Sequence, residues 1–337
     1  MTIKTMRDAI NEALRQEMQR DPCVIILGED VAGGMGGTSD ADEAGGGVFG
    51  VTAGLVQEFG RDRVIDTPIT ESAIIGAANG AALTGLRPVA ELMFVDFIGV
   101  CLDQIMNQTA KFRYMFGGKT NVPLTIRTAM GAGWTCGPQH SQALYPILTS
   151  IPGLKCILPS NPYDAKGLMA QAIRDDDPVI VFEHKMLYGE QCEVPDEPYL
   201  IPFGQANVTR TGTQVTIVAF SRMVLLANQV ADKLALEGLS VEVIDPRTTS
   251  PLDEDSILDS VEKTGRLVVV DESTPLCSMA SEIASLAACE CFDYLKAPVV
   301  KVTAPHTVIP ATPSLEQNYI PSVEKIESAV RTVLDYE

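Results

Sequence analysis

The chain lacks several features that would mark a membrane, metal-binding or secreted protein. No apolar run among its 337 residues reaches the roughly 18 residues that suggest a membrane span. The eight cysteines form no C-x-x-C motif and have no histidine cluster beside them, which disfavours a zinc site and predicts reduced thiols. The start, MTIKTMRDAINEAL, has neither an apolar signal core nor a basic, acid-free transit pattern. We therefore expect a cytoplasmic protein.

Positive charge is also scarce. Lysine and arginine total 25 against 44 aspartates and glutamates, which gives a formal net charge of −19. Because nucleic acids and anionic membranes bind through clustered lysine and arginine, this balance disfavours both as partners. The acidity suits a basic protein partner, or it serves only to keep the protein in solution. Composition leaves both interpretations open.

Apolar runs of strand length alternate with helical patterns, which predicts parallel sheets covered by helices on both faces. The predicted strands are 23–27, 89–93, 122–127, 154–158, 179–183, 215–220, 240–244, 266–270 and 299–302. The predicted helices include 71–86, 101–116, 163–174, 223–236, 253–262, 279–288 and 322–334. A proline-containing stretch without clear periodicity interrupts this pattern. We therefore predict an α/β protein of two doubly wound domains, 1–185 and 207–337, joined by a linker at 186–206.

Residues 33–50, GGMGGTSDADEAGGGVFG, are dense in glycine and have almost no large apolar side chains. Such a sequence cannot build a packed element, so we predict a long loop. A phosphate-binding loop is one interpretation, but the Walker pattern is missing and no lysine is nearby. A flap at an active site or a subunit contact is the interpretation we prefer.

The segment 63–88, RVIDTPITESAIIGAANGAALTGLRP, carries the most specific pattern. A short strand at 64–66 is followed by a turn and then by a helix that starts near Glu71. Gly76 and Gly80 lie on one face of this helix and would let another helix approach closely. Glu71 either offsets the dipole at the helix start or is held in a subunit interface, where it shares a proton with a ligand nitrogen. The spacing alone leaves both roles open.

The run DTPITE with GLRPVAE resembles the beta chains of the pyruvate, branched-chain and acetoin dehydrogenase complexes. GPQHSQ at 137–142, DPRTTSPLD at 245–253 and the stretch 152–189 that begins PGLKCILPSNPYDAKG show the same resemblance. It covers nearly the whole chain, with the motifs in register. It implies a transketolase-like pyrimidine-binding domain followed by a transketolase C-terminal-like domain. It further implies a thiamine-diphosphate-dependent oxidoreductase, active only with an alpha chain in an alpha2beta2 heterotetramer.

The resemblance also assigns roles to individual residues. The glutamate matching Glu71 hydrogen-bonds the pyrimidine nitrogen of thiamine diphosphate and promotes loss of the thiazolium proton, so that the cofactor can act as an electron sink. Phe97 matches an aromatic residue that stacks on the pyrimidine ring, and Met93 would line the same pocket. Without the resemblance, Phe97 would be interpreted as a core residue at a strand end. His140 matches a histidine that assists transfer of the acyl group to lipoamide.

Two metal sites are implied as well. The chain contains no GDG motif, which in the resembled complexes belongs to the alpha chain. Magnesium and the diphosphate would therefore be held by that partner, and the cofactor would bridge two chains. The acidic segment IRDDDP at 173–178 is either a solvated turn or part of a structural potassium site. Some family members bind potassium at positions matching Leu124, Ala172, Ile173, Asp175 and Asp177.

The remaining expectations concern the second partner and the substrate. The resemblance implies docking on a lipoyl-bearing acyltransferase core through its basic subunit-binding domain, which agrees with the net acidity. The extended glycine-rich loop and the pattern GGG-V-x-GVT-x-GL are similar to acetoin dehydrogenase beta chains. We therefore expect cleavage of acetoin to acetaldehyde and an acetyl group that reductively acetylates lipoamide. Oxidative decarboxylation of pyruvate and a non-catalytic docking role are the alternatives.

Overall fold

The computed structural model of the chain describes residues 1–33 and 46–336. The chain folds into two compact units. The first comprises Met1–Met130, Ile147–Glu183 and Leu187–Pro202; the second comprises Gly131–Pro146, His184–Met186 and Phe203–Glu337. The domain limits at 185 and 207 stay a prediction.

Strands and helices alternate along most of the chain, and this confirms the predicted α/β class. The strands are β1 (Thr2–Thr5), β2 (Val24–Glu29), β3 (Val64–Thr67), β4 (Arg87–Phe94), β5 (Thr125–Met130), β6 (Lys155–Ile157), β7 (Val179–His184), β8 (Gln191–Val194), β9 (Asn207–Arg210), β10 (Val215–Ala219), β11 (Val241–Asp245), β12 (Thr248–Ser250), β13 (Leu267–Asp271) and β14 (Val300–Thr303). The helices are α1 (Met6–Arg20), α2 (Leu55–Phe59), α3 (Glu71–Leu83), α4 (Ile98–Asp103), α5 (Phe112–Met115), α6 (Tyr145–Thr149), α7 (Pro162–Arg174), α8 (Arg222–Ala235), α9 (Glu254–Thr264), α10 (Met279–Glu290), α11 (Pro313–Tyr319) and α12 (Val323–Leu334). None of the helices in residues 1–33 and 46–336 has both the length and the apolar character needed to cross a lipid bilayer.

The sheet of the first unit brings several strand ends to one edge. Its strands lie in the order β6-β7-β5-β4-β2-β3. β2 pairs in parallel with β3 and β4, β4 pairs in parallel with β5, and β6 with β7. Every residue of β5 and β7 is buried, as expected of parallel strands covered on both faces. Because parallel strands end at the same edge, the residues that follow β2, β3 and β4 come together there.

The helix predicted over 101–116 is interrupted. α4 ends at Asp103, a π-helical turn occupies Gln104–Thr109, and α5 begins at Phe112. The buried amide of Asn79 supports the turn: its Nδ2 donates to the Gln104 carbonyl at 3.1 Å, and its Oδ1 accepts from Thr109 Oγ1 at 2.6 Å. This partner comes from α3, so the local pattern of residues 101–116 could not indicate the break.

The predicted linker contains a strand, and most of the predicted glycine-rich loop could not be compared with the structure. β8, inside the stretch predicted to be a linker, pairs with β1 as an antiparallel ribbon. Most of the predicted glycine-rich loop lies outside the described residues. At its end, the Gly47 amide donates to the Asp30 carbonyl at 2.9 Å.

The second unit contains its own sheet, in the order β14-β13-β10-β11-β9. Four of these strands are parallel, and β9 is an antiparallel edge strand that the sequence analysis missed. β10, β11 and β13 are completely buried. Their apolar side chains pack with those of α8 and α12 in one core, which includes Val215, Ile217, Met223, Val268 and Val330.

Candidate active site

Glu71 is the first residue of α3, four positions after the end of β3. β3 ends beside β2, with Thr67 opposite Glu29. The Glu71 side chain is half-buried, and no hydrogen bond or ion pair joins it to another residue of 1–33 and 46–336. Burial, Asp30 and Glu71 together raise the pKa of Glu29. Burial and the charge of Glu71 raise the pKa of the Cys101 thiol to about 12.

Phe97 and Met93 belong to an apolar cluster at the end of β4. Met93 and Phe94 are buried there, and Phe49 and Phe97 pack against them half-buried. The Phe94 and Phe97 rings meet edge to face at 5.7 Å between centroids. Phe97 thus keeps part of its surface exposed.

A hydrogen bond links the helix that carries Glu71 to the segment that carries Phe97. Ser72 Oγ donates to the Val100 carbonyl at 2.5 Å. Ser72 follows Glu71 directly, and Val100 lies three residues after Phe97. The structure therefore brings Glu71, Met93 and Phe97 to one edge of the sheet in the first unit.

A buried charge network, missed by the sequence analysis, lies in the same sheet. Arg127 of β5 donates to Glu91 of β4 and to both oxygens of Glu183 of β7, with Nε–Oε1 and Nη2–Oε2 distances of 2.9 and 2.6 Å. Tyr188 Oη donates to Glu183 Oε2 at 2.7 Å. Burial raises the pKa of Glu91 even though Arg127 opposes that shift. The signal in the sequence was a charged residue in the buried part of each of these three strands.

The end of the glycine-rich segment covers this network. Gly47 has φ +76°, and a Cβ there would lie 3.1 Å from Glu91 Oε1. Phe49 packs against the Tyr188 ring at 5.2 Å between centroids. Glycine is needed at position 47 because its backbone must approach a carboxylate in a conformation that other residues rarely adopt.

His140 belongs to the second unit. Its side chain is half-buried, and its backbone carbonyl accepts a hydrogen bond from Lys185 Nζ. It follows a loop in which Gly131, Gly133, Thr135 and Gly137 all have positive φ. His140 is thus presented by a backbone of unusual conformation and not by a helix or strand.

The five positions predicted to hold potassium all lie in the first unit. Arg87 Nη1 donates to the carbonyls of Ile173 and Asp175 at 3.0 and 2.9 Å. Lys155 Nζ lies 2.7 Å from both carboxylate oxygens of Asp175. The Leu124 and Ala172 carbonyls accept from backbone amides. Protein donors therefore engage these oxygens, and potassium binding stays a prediction.

Over residues 1–33 and 46–336, no group of three histidine, cysteine, aspartate or glutamate side chains is placed to hold a metal ion.

Comparison with known proteins identifies the family. Residues 3–191 match the transketolase pyrimidine binding domain, and residues 204–326 match the transketolase C-terminal domain. The acetoin:2,6-dichlorophenolindophenol oxidoreductase beta subunit of Bacillus subtilis is 55% identical, covering 98% of this chain and 97% of its own. The chain belongs to the transketolase-type family of dehydrogenase beta subunits. Enzymes of this family depend on thiamine diphosphate.

Other family members differ in their sequence identity to this chain. The subunit of the same name from Cupriavidus necator is 56% identical over 97% of this chain and 96% of its own. The pyruvate dehydrogenase E1 component subunit beta of Bacillus subtilis is 42% identical over the full length of both. A solved structure described as a split gene transketolase, inactive beta4 tetramer, has a TM-score of 0.77, 22% identity and coverage of 98% of both chains. These findings confirm the predicted family and its two transketolase-type domains.

Proposed function

We propose that this chain is the beta chain of a thiamine-diphosphate-dependent acetoin dehydrogenase component. It would cleave acetoin with its alpha chain, release acetaldehyde, and transfer the other two-carbon unit as an acetyl group to the lipoyl disulfide of an acyltransferase core, which is thereby reduced. The observation that carries the proposal is the half-buried Glu71 carboxylate, unpaired among the described residues and placed at the carboxyl edge of the sheet with Phe97. The chain is 55% and 56% identical to two acetoin:2,6-dichlorophenolindophenol oxidoreductase beta subunits and 42% identical to a pyruvate dehydrogenase beta subunit, which supports acetoin as the substrate.

The residues at this edge fit the pyrimidine ring of the cofactor. Glu71 would hold a hydrogen bond at a ring nitrogen, because its oxygens are not engaged by other described residues. Phe97 would orient the ring by contact worth about 0.5–1.5 kcal/mol beyond burial, and Met93 would form an apolar wall. When bound, thiamine diphosphate supplies the electron sink for carbon–carbon cleavage. His140 would move a proton during transfer to lipoamide.

The surface of the first unit has features that favour binding of a large protein partner. α3 exposes the small residues Ser72, Ala73, Ala77 and Gly80, and a Cβ at Gly80 would meet nothing within 4 Å. Gly76, by contrast, packs against Gln104 of the same chain. Tyr114, Met115 and Phe116 are 89, 65 and 50% exposed. Large apolar side chains clustered on a surface are typical of protein interfaces.

The partners in this proposal follow from these surfaces and from the family. An alpha chain would bind the magnesium ion and the diphosphate, and two copies of each chain would form an alpha2beta2 heterotetramer. The acyltransferase core would be a second partner, favoured by opposite charge because this chain carries a net charge of −19. A cytoplasmic location and the potassium ion remain predictions.

The substrate is tested by assaying the reconstituted alpha–beta pair with acetoin and with pyruvate, using dichlorophenolindophenol as the electron acceptor. We expect kcat/KM for acetoin to exceed that for pyruvate by at least about 10-fold, because the pocket must distinguish the neutral hydroxyethyl group of acetoin from the carboxylate of pyruvate. Equal or faster turnover of pyruvate would show that pyruvate, and not acetoin, is the substrate. No turnover of either substrate by a pair that assembles would favour the non-catalytic docking role.

A further inference from the structure

The loop that leads to His140 contains one residue, Thr135, whose backbone conformation its side chain does not favour. Gly131, Gly133 and Gly137 have φ values of +91°, +120° and +78°, and between them Thr135, which is not glycine, has φ +55°. A residue of this kind in the left-handed region costs on the order of 1–3 kcal/mol and persists only where its surroundings hold it. The contacts of this loop should therefore include interactions that fix its shape.

Glu316, from α11, makes such contacts. Its side chain is 2% exposed. Its Oε1 accepts from the Gly133 amide at 2.8 Å, and its Oε2 accepts from the Thr135 amide at 3.0 Å. One carboxylate thus binds two amides on either side of Trp134. Hydrogen bonds to a carboxylate are stronger than those between neutral groups, so they can offset the strain at Thr135.

A second buried carboxylate holds the start of the loop. Glu272 Oε1 accepts from the Ala132 amide at 2.7 Å, and its Oε2 accepts from His184 Nε2 at 2.7 Å. The Met186 amide donates to His184 Nδ1 at 3.2 Å, so the proton of the neutral imidazole lies on Nε2 and faces Glu272. The other end of the loop is held by Lys185, which donates to the His140 carbonyl.

We propose that Glu316, with Glu272, is a positioning residue for His140. The two carboxylates fix residues 131–137 in the conformation from which His140 serves acetyl transfer to the lipoyl group. We call the contacts of Glu316 and Glu272 with residues 131–137 the clamp. The role of His140 in this inference rests on the proposed function, whereas the clamp rests only on the hydrogen bonds described in this subsection. Neither glutamate would touch the substrate; both act through the loop.

Trp134 provides a readout that is independent of activity. It is the only tryptophan of the chain, it lies between the two residues whose amides Glu316 binds, and it is 46% exposed. Glu316→Gln replaces one acceptor oxygen by an NH2 group, which cannot accept from a backbone amide. In the purified full-length chain, this variant should show increased acrylamide quenching and lower anisotropy of Trp134 than the wild type. Glu262→Gln, an exposed position on α9, is the matched control and should leave both signals unchanged.

The positioning role is tested in the reconstituted pair with a lipoyl domain as acceptor. Glu316→Gln should lower kcat for lipoyl acetylation by about 10- to 100-fold, as expected when a reacting group is misplaced by about 1 Å, with the KM for acetoin unchanged. Dichlorophenolindophenol reduction should fall much less. Glu316→Asp and Glu272→Gln are companion variants. Each of them that retains the wild-type circular dichroism spectrum should also lose lipoyl acetylation with a smaller loss of dichlorophenolindophenol reduction.

The outcomes separate this inference from the proposed function. An unchanged Trp134 signal in every folded variant would overturn the clamp, whatever the activity. A changed signal with unchanged lipoyl acetylation would overturn the positioning role. Wild-type pairs that turn over neither acetoin nor pyruvate would overturn the proposed function and the positioning role with it, and the clamp would then be judged on Trp134 alone.

Discussion

Replacing Glu71 by alanine should lower the rate of acetoin cleavage by the alpha–beta pair by about 10²–10⁴-fold, the range for loss of a positioned proton-transfer group. The residue stands at the start of α3 with a half-buried side chain that no other described residue engages. Its removal therefore takes away the hydrogen bond offered to the cofactor and little else. Glu71→Gln, which keeps the shape but not the charge, should show a loss of the same order.

The fold should survive this change. Glu71 contributes to α3 mainly through the helix dipole, an effect of about 0.3–1 kcal/mol. Glu254→Ala is a matched control, because Glu254 is also the first residue of a helix and is exposed. Both variants should unfold at similar urea concentrations, and only the Glu71 variant should lose activity. Wild-type activity in a folded Glu71→Ala pair would exclude the catalytic role of this carboxylate.

Replacing Arg127 by methionine should destabilise the first unit by about 3–5 kcal/mol, because removal of one partner from a buried ion pair leaves the other charge uncompensated. Here two carboxylates, Glu91 and Glu183, would lose their shared cation. The expected result is a much lower urea midpoint in unfolding followed by circular dichroism. Arg331→Met removes an exposed guanidinium that also contacts two glutamates, and it should change the midpoint far less because surface ion pairs are weak.

The pH dependence of the Arg127 variant provides a second check. The pKa of Glu91 is already raised by burial in the presence of Arg127, and loss of the cation raises it further. A carboxyl whose pKa is higher in the folded than in the unfolded protein binds its proton preferentially when folded, so stability falls as pH rises through that interval. The deficit of Arg127→Met should therefore shrink as pH is lowered towards the range where Glu91 is protonated. A deficit independent of pH would show that lost packing, and not unpaired charge, dominates.

The sequence was sufficient to predict the buried strands and the start of α3. Strands such as β10 and β13 are largely apolar and completely buried, because both faces of a parallel sheet are covered. The position of Glu71 followed from the turn and the small residues after it. β9 and β8 were missed since each is a strand of four residues that is only partly buried, so its sequence carries little hydrophobic pattern.

The partners of buried polar residues could not be predicted in the same way. Arg127 binds carboxylates 36 and 56 residues away, and Glu316 binds amides 183 and 181 residues away. A charged residue in an apolar run indicates only that some partner exists. Which residue is the partner depends on the order of the strands and on the path of the C-terminal segment that carries Glu316. Local patterns contain neither piece of information.

The central claim is that this chain provides one part of a thiamine diphosphate site and needs an alpha chain for the rest. Isothermal titration of thiamine diphosphate with magnesium into the full-length chain, and into the reconstituted alpha–beta pair, tests it most directly. We predict magnesium-dependent binding by the pair and no measurable binding by the chain alone. Tight binding by the isolated chain would contradict the claim.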